Sequence, residues 1–274
     1  MKKKKILLGK LVLFFVILTW KIIPNVRAMN ENGTSITPPI EIIILYDNNA
    51  YDKKLRPAWG FSCLVKLPHK SILFDTGGDR SILLANLEKL EIDPQEIEVV
   101  FLSHIHGDHV GGLAGFLRKN SNVVVHLPES FPQRFKDRIK ALGATVEEVD
   151  GSKELFDNVY TTGELGTGII EQSLIIKTDK GLLIITGCAH PGVVTIIKRA
   201  MELTGDKVCL ILGGFHLAGA STSKIESIID DFFRLGVKKV SPCHCTGEKA
   251  SALFEERYGA DFFECGVGRR ILIQ

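Results

Sequence analysis

The sequence predicts an α+β fold in which two sheets pack face to face with helices on their outer sides. Three observations predict it. Short apolar runs rich in β-branched residues follow one another closely at the start of the chain's main body. Strands then alternate with segments of helical period, and the second half repeats this plan in outline. Composition agrees: with 45% hydrophobic and 24% charged residues over 274 positions, the chain can bury a sizeable core.

Residues 29–39, with Asn, Gly, Ser, Thr and Pro-Pro, read as a linker, and residues 40–274 as the folded domain. Ile40–Tyr46 is an unbroken β-branched run suited to a buried strand, ended by the turn Asp47-Asn48-Asn49. Phe61–Leu67 and Ser71–Phe74 read as the next two strands, with His69 in the exposed turn between them. Arg80–Leu90 has helical spacing and leads into Asp93-Pro94-Gln95. Glu98–Leu102 is a strand, Val110–Leu117 a helix, Asn122–His126 a strand, Glu129–Leu142 a helix and Thr145–Val149 a strand. Asp150–Asn158 is polar and reads as a loop. Ser173–Thr178 and Gly181–Thr186 then form a hairpin about Asp179-Lys180. Val193–Leu203 and Ser223–Leu235 are helices around the strand Val208–Leu212, and Val237–Ser241 is a further strand. A helix through Arg257 and a terminal strand close the chain.

The residues that carry chemistry fall at the ends of these strands. His104-Ile105-His106-Gly107-Asp108-His109 places three histidines and one aspartate within six residues, directly after an apolar run and before Val110-Gly111-Gly112. Imidazole and carboxylate suit zinc, iron or manganese, and a loop at a strand end can turn several such groups toward one point. Histidines scattered in solvent would not need that density. Three later strands each end in a loop with one more histidine: His190, His216 and His244. His190 and His244 read as ligands, while His216 stays open between ligand, substrate contact and structural residue. Asp75, at a strand end beside Gly77 and Gly78, is expected to hold a ligand by hydrogen bonding from behind. His126 reads as structural, with no partner ligand beside it.

Six cysteines do not suggest a framework of bridges. Cys63 and Cys209 sit in apolar strands as small hydrophobes. Cys188, Cys243 and Cys245 lie beside histidines and glycines, without the second Cys pair of a zinc knuckle. The N-terminus reads as an export signal: Lys2–Lys5, an uncharged run over Leu11–Trp20, and a small-residue cleavage site ending at Ala28. An uncleaved membrane anchor over Ile6–Ile23 is the alternative, so a secreted, extracytoplasmic or membrane-tethered protein is expected. A formal charge of +2 gives no basic footprint, and no nucleic-acid partner is expected. The expected partner is a small-molecule substrate. The Lys and Arg residues over 133–140 are candidates for an anionic one, or simply a solvated helix face.

The segment from Asp75 through Leu113 resembles the metallo-β-lactamase superfamily, whose signature is a strand-end aspartate and then His-x-His-x-Asp-His. Thr186–Gly192, Gly213–Leu217 and Pro242–Gly247 narrow the resemblance to the dihydropterin ribofuranosylaminobenzene 5′-phosphate synthase-like branch, which Asp47-Asn48-Asn49 and Glu171–Leu174 fit too. The resemblance implies a four-layer αββα sandwich with two divalent metal ions, zinc foremost, along one edge. His104 and His106 would hold one ion, Asp108 and His109 the other, with His190 and His244 completing the set. Asp108 would also help proton transfer, and His216 would contact substrate. Many members of the superfamily carry a bridging Asp where this chain has Cys188; its thiolate as a ligand and a supporting role both stay open.

Three functions are compatible with these residues. The first is a metal-dependent hydrolase activating water against a small ester, lactone or phosphate. The second is a synthase or transferase of the pterin branch, against which the export signal counts because pterin biosynthetic intermediates are cytoplasmic. The third is a non-catalytic ligand-binding protein on the same fold.

Overall fold

A computed structural model describes residues 39–273. The readings of residues 1–28 as signal or anchor, and of most of the linker, lie outside the described residues. Among the described residues no helix is long and apolar enough to cross a membrane.

The first sheet begins as an antiparallel meander of β1 (Ile40–Tyr46), β2 (Ser62–Lys66) and β3 (Ser71–Phe74), in register at Ile43–Leu64 and Leu64–Leu73. It then grows by crossovers. Helix α1 (Arg80–Lys89) leads to β4 (Val99–Phe101). Two short helices, α2 (Gly107–Val110) and α3 (Leu113–Leu117), lead to β5 (Val124–Pro128), and α4 (Gln133–Ala141) leads to β6 (Thr145–Val149). Each of β4, β5 and β6 is parallel to the strand it joins. The second sheet repeats the scheme. β7 (Lys153–Phe156), β8 (Val159–Thr161), β9 (Leu174–Thr178) and β10 (Gly181–Thr186) are antiparallel neighbours. Helix α5 (Val193–Thr204) leads to β11 (Val208–Gly214) and α6 (Thr222–Leu235) to β12 (Lys239–Cys243), both added in parallel. After α7 (Glu248–Tyr258) the chain returns to the first sheet, where β13 (Arg270–Ile273) pairs antiparallel with β1. The orders are β13-β1-β2-β3-β4-β5-β6 and β12-β11-β10-β9-β8-β7.

Burial explains the continuous apolar runs. Along β1, Ile42 and Ile44 point into a core between the sheets, shared with Phe74, Phe101, Leu174, Ile185 and Leu212. Ile43 and Leu45 point the other way, beneath Leu83 and Leu87 of α1 and Phe116 of α3. On the far side Ile184 and Ile211 are covered by Ile196 of α5, Ile229 and Phe232 of α6 and Phe254 of α7. A strand covered on both faces has no polar alternation to show. The result is the expected α+β arrangement in four layers, helices-sheet-sheet-helices.

Three segments differ from the sequence expectation. Residues 150–158 are not a loop, because Lys153–Phe156 is an edge strand; its exposed Lys153 and Glu154 mask the period-two signal. The single helix expected over 110–117 is two, divided at Gly111-Gly112. A Cβ at Gly111 would lie 2.2 Å from the carbonyl oxygen of Gly78, and one at Gly112 2.1 Å from that of Thr76. The glycines therefore let the histidine-rich loop press directly on the Asp75–Gly78 loop, where Thr76 donates its N–H and its hydroxyl to the His109 carbonyl (2.7 and 2.9 Å). Finally, β5 runs to Pro128 and α4 starts only after Pro132, so both lie later than expected.

Asn86 shows how a polar side chain fixes the loop before β2. Buried on α1, it donates Nδ2 to the carbonyls of Leu45 and Arg56 (2.9 and 3.0 Å) and accepts from the Arg56 N–H at 3.0 Å. Asn86→Leu keeps the volume but strands these backbone groups. It should lower stability by about 2–3 kcal/mol in urea denaturation; a loss below about 0.5 kcal/mol, the size of an ordinary surface change, would mean that the loop is held by other contacts.

Candidate metal centre

Eleven residues of interest sit at the ends of six strands along one edge of the sandwich. Asp47 and Asn48 follow β1, Asp75 follows β3, and His104, His106, Asp108 and His109 follow β4. Cys188 and His190 follow β10, His216 follows β11, and His244 follows β12. Four non-glycine residues here turn into the left-handed region: Asp75 (φ 50°), Ala189 (59°), His216 (53°) and His244 (50°). That conformation is costly for a residue with a Cβ, and it aims each loop back across the sheet edge instead of letting the strand run on.

The predicted ligands fall into two groups. Donor atoms of His104, His106 and His190 lie within 4.8 Å of one another, and so do those of Asp108, His109 and His244. His104 Nε2 is 3.1 Å from His106 Nδ1, and His109 Nε2 is 3.2 Å from His244 Nε2. Asp108 Oδ2 is 3.3 Å from His244 Nε2 and 3.7 Å from His109 Nε2. His216 is exposed at the rim, its ring 4.6 Å from that of His190. Cys188 is buried with Sγ 3.3 Å from His109 Nε2, the ring nitrogen that also faces His244.

Hydrogen bonds behind the rings decide where the imidazole protons sit. His109 Nδ1 is 2.7 Å from Asp75 Oδ2, and His190 Nδ1 is 2.9 Å from Glu171 Oε2. His244 Nδ1 faces Asn48 Oδ1 at 3.1 Å. The Ser103 hydroxyl donates to Asp75 Oδ2 at 2.6 Å, which leaves its lone pair to accept from His104 Nδ1 at 2.9 Å. We therefore assign Nδ1–H to all four rings. Their Nε2 lone pairs then point inward, and in the second group two of them meet at 3.2 Å with a carboxylate oxygen and a sulfur alongside. Electron-rich atoms converging with no proton between them suit a cation, so the donor set fits a bound metal.

Glu171 is one of the site residues that sequence reasoning missed. It is 1% exposed, and its Oε1 accepts the N–H groups of Gly187, Cys188 and Ala189, while Oε2 accepts those of His190 main chain and ring. One carboxylate thus builds the whole turn after β10. Asp47 does similar work at β12, accepting the His244 N–H at 3.0 Å, and Asn48 Nδ2 donates to the His244 carbonyl. The only signals were the Asp47-Asn48-Asn49 and Glu171–Leu174 runs noted above, which suggested no roles. Gly187 is fixed by space: a Cβ there would stand 2.2 Å from Ser103 Oγ and 3.1 Å from His104 Nδ1.

Burial dominates the titration of these groups. It pushes Asp75 up to about 7, opposed by the charge of His104 and the bonds from Ser103. It lowers His104 and His109 to about 3, aided by their mutual repulsion for His104 and by His244 for His109, so both rings are in the neutral, coordinating form. For Glu171 burial is outweighed by its hydrogen bonds from His190 and the charge of His104, which hold it at about 2. Asp108 is likewise held well below the usual carboxylate range: burial is outweighed by the His244 and His109 rings beside it.

A cavity of about 550 Å³ opens beside His244, between Asn48, Trp59, Ser251, Phe262 and Glu264. The Trp59 ring lies 5.0 Å from that of His244 and is 61% exposed. The basic residues over 133–140 lie elsewhere, on α4 against β6, where Lys136 is buried and paired with Glu148 and the Glu129 carbonyl. His126 is buried on β5, outside both ligand groups, with Nδ1 unpartnered. All six cysteines are free thiols.

The family model described as the metallo-beta-lactamase superfamily matches residues 60–244. The chain is 32% identical to the 7,8-dihydropterin-6-methyl-4-(beta-D-ribofuranosyl)-aminobenzene-5′-phosphate synthase of Methanocaldococcus jannaschii, over 78% of this chain and 91% of that protein. Among solved structures it resembles Tm1679, described as a metal-dependent hydrolase of the beta-lactamase superfamily. That match has a TM-score of 0.72 and 29% identity, over 85% of this chain and 98% of the other. Human tRNase Z, short form, shares the fold with a TM-score of 0.60 at 16% identity, over 85% and 99% of the two chains. The extracytoplasmic or membrane-anchored location expected from the N-terminus does not stand against a relative named as a pterin-conjugate synthase, and it is withdrawn. Signature, fold and relatives agree: the chain belongs to the metallo-beta-lactamase superfamily, in its dihydropterin ribofuranosylaminobenzene phosphate synthase-like branch.

Proposed function

We propose that the protein is a metal-dependent synthase that joins a pterin-type methyl carbon to an aromatic amine carrying an anionic group. The observation that supports this over simple hydrolysis is the Trp59-faced cavity against His244, a flat wall suited to a heteroaromatic substrate, in a chain that spans 91% of the synthase. Two divalent ions, zinc by donor type, would be held by His104, His106 and His190 and by Asp108, His109 and His244; when bound, such a pair stabilises charge on a phosphoryl or carbonyl oxygen.

The chain's own residues supply the rest. Asp75, Glu171, Asn48 and Ser103 hold the imidazoles rigid. Asp108, whose side chain is 22% exposed at the mouth of the centre, takes the proton that the attacking amine gives up as the new carbon–nitrogen bond forms and the leaving group departs. His216 at the rim donates a hydrogen bond to the leaving group or to the partner's phosphate. Trp59 stacks on the heterocycle. The second reading is hydrolysis of a related substrate, with water in place of the amine, and the likeness to Tm1679 favours it.

One experiment separates the readings. Zinc-loaded protein is given a 7,8-dihydropterin with a phosphate-type leaving group on its 6-methyl carbon, with and without ribofuranosylaminobenzene 5′-phosphate. Coupled product only when both are present supports the synthase. Release of the leaving group without the amine supports the hydrolase, and turnover of neither leaves a ligand-binding protein. Under the synthase reading, Trp59→Ala raises KM for the pterin about tenfold while kcat changes little.

Glu171→Gln tests the support behind the ligands. It replaces an acceptor oxygen with an amide donor facing N–H groups, and metal affinity should fall roughly 10- to 100-fold in competition with a chromophoric chelator. Unchanged affinity would assign Glu171 to the fold alone.

A further inference from the structure

We propose that Cys243 and Cys265 are a redox-sensitive dithiol that closes to a reversible disulfide in the wall of the cavity beside His244. The backbone sets the geometry. Val240 of β12 forms a parallel bridge with Phe262, and the Phe263 N–H donates to the Val240 carbonyl at 2.8 Å. Cys243 and Cys265 each lie three residues beyond that bridge, which places them opposite one another. Segments paired in this way run about 4.8 Å apart, inside the Cα separation that a disulfide spans. The side chains meet there as well. Both cysteines line the cavity, and both pack on the apolar core between the sheets. The Cys265 thiol is also the hydrogen-bond partner of the Cys243 thiol.

Exposure assigns the two sulfurs different parts. Cys265 is half-buried and open to the cavity, so an oxidant reaches it first, while Cys243 is buried behind it. The oxidant is a peroxide. The Cys265 thiolate attacks one oxygen of hydrogen peroxide, the O–O bond breaks, and the other oxygen leaves as hydroxide and takes up a proton. Cys243 then gives up its proton as its sulfur displaces hydroxide from the Cys265 sulfenic acid, which forms the S–S bond and a second water. The pair of thiols loses two electrons, and the peroxide is reduced to water. The new bond ties the loop carrying Glu264 to β12 and pulls on the residue directly before His244. Asp47 and Asn48 hold His244 from the other side, so that pull works against the alignment of its ring.

Peptide mapping gives the test. The full chain, zinc-loaded and reduced, is exposed to graded hydrogen peroxide and digested without reduction. A peptide pair joining Cys243 to Cys265 should accumulate as two of the six thiols are lost, and dithiothreitol should reverse both changes. Cys265→Ser should form no such bridge. Cys245→Ser, which removes the other thiol beside His244, should still form it. A bridge between other cysteines, a Cys265 that stops at sulfenic or sulfinic acid with Cys243 still reduced, or no thiol loss in the folded chain overturns the proposal. In the coupling assay the bridged chain should turn over about tenfold more slowly, with dithiothreitol restoring the rate and Cys265→Ser insensitive to peroxide. A bridged chain with an unchanged rate overturns the effect on the site. This second readout rests on the synthase reading. A reduced chain that couples nothing sinks that reading, and the peptide map still decides the dithiol.

Discussion

Donation of imidazole Nδ1–H into a buried acceptor is the interaction on which the sheet edge depends. Asp75 and Glu171 do this for His109 and His190, Asn48 for His244, and Ser103 for His104, itself held by Asp75. Each bond fixes a tautomer and a ring angle together. Without them the rings would rotate, and lone pairs that now converge would turn apart. Burying two carboxylates beneath the site carries a large desolvation penalty, visible in the elevated pKa of Asp75. Glu171 escapes that fate chiefly through the hydrogen bond from the His190 ring and the nearby His104, with the main-chain N–H groups that shape the turn adding to them.

The strained strand ends follow from the same need. A β-strand leaving the sheet in ordinary extended geometry would carry its next side chain away from the edge. A left-handed residue at Asp75, Ala189, His216 and His244 reverses the chain within one step. The cost is tolerated because the surrounding hydrogen bonds over-determine the turn, as at His244, whose N–H, carbonyl and ring are all engaged by Asp47 and Asn48. Glycines appear instead where backbone meets backbone, as at Gly111 and Gly112.

Much of this was legible in the sequence because the relevant signals are local. Buried strands announce themselves by unbroken apolar runs, and His104 to His109 is a dense local motif. Positions 190 and 244 were readable because each histidine follows an apolar strand beside a glycine. Glu171 was not, since its partners lie 16 to 19 residues away and nothing adjoining it is chemically distinctive. The same holds for Asn48, whose partner His244 is 196 residues distant. Trp59 gave no sign of its role, because an aromatic residue in a loop looks the same whether it lines a cavity or packs on a neighbour. Strand β7 was lost for the opposite reason: an edge strand needs only one apolar face, and four residues are too few to display it.

Each triad draws donors from both halves of the sandwich. His104 and His106 follow a strand of the first sheet and His190 one of the second; Asp108 and His109 are likewise paired with His244. The core between the sheets is apolar and so resists separation far more than it resists sliding. Donor atoms spaced this closely tolerate no slide. A cation seated among them would act as a rivet through the two layers, converting a greasy contact into one fixed alignment. Occupancy and folding would then be thermodynamically linked, each favouring the other by mass action.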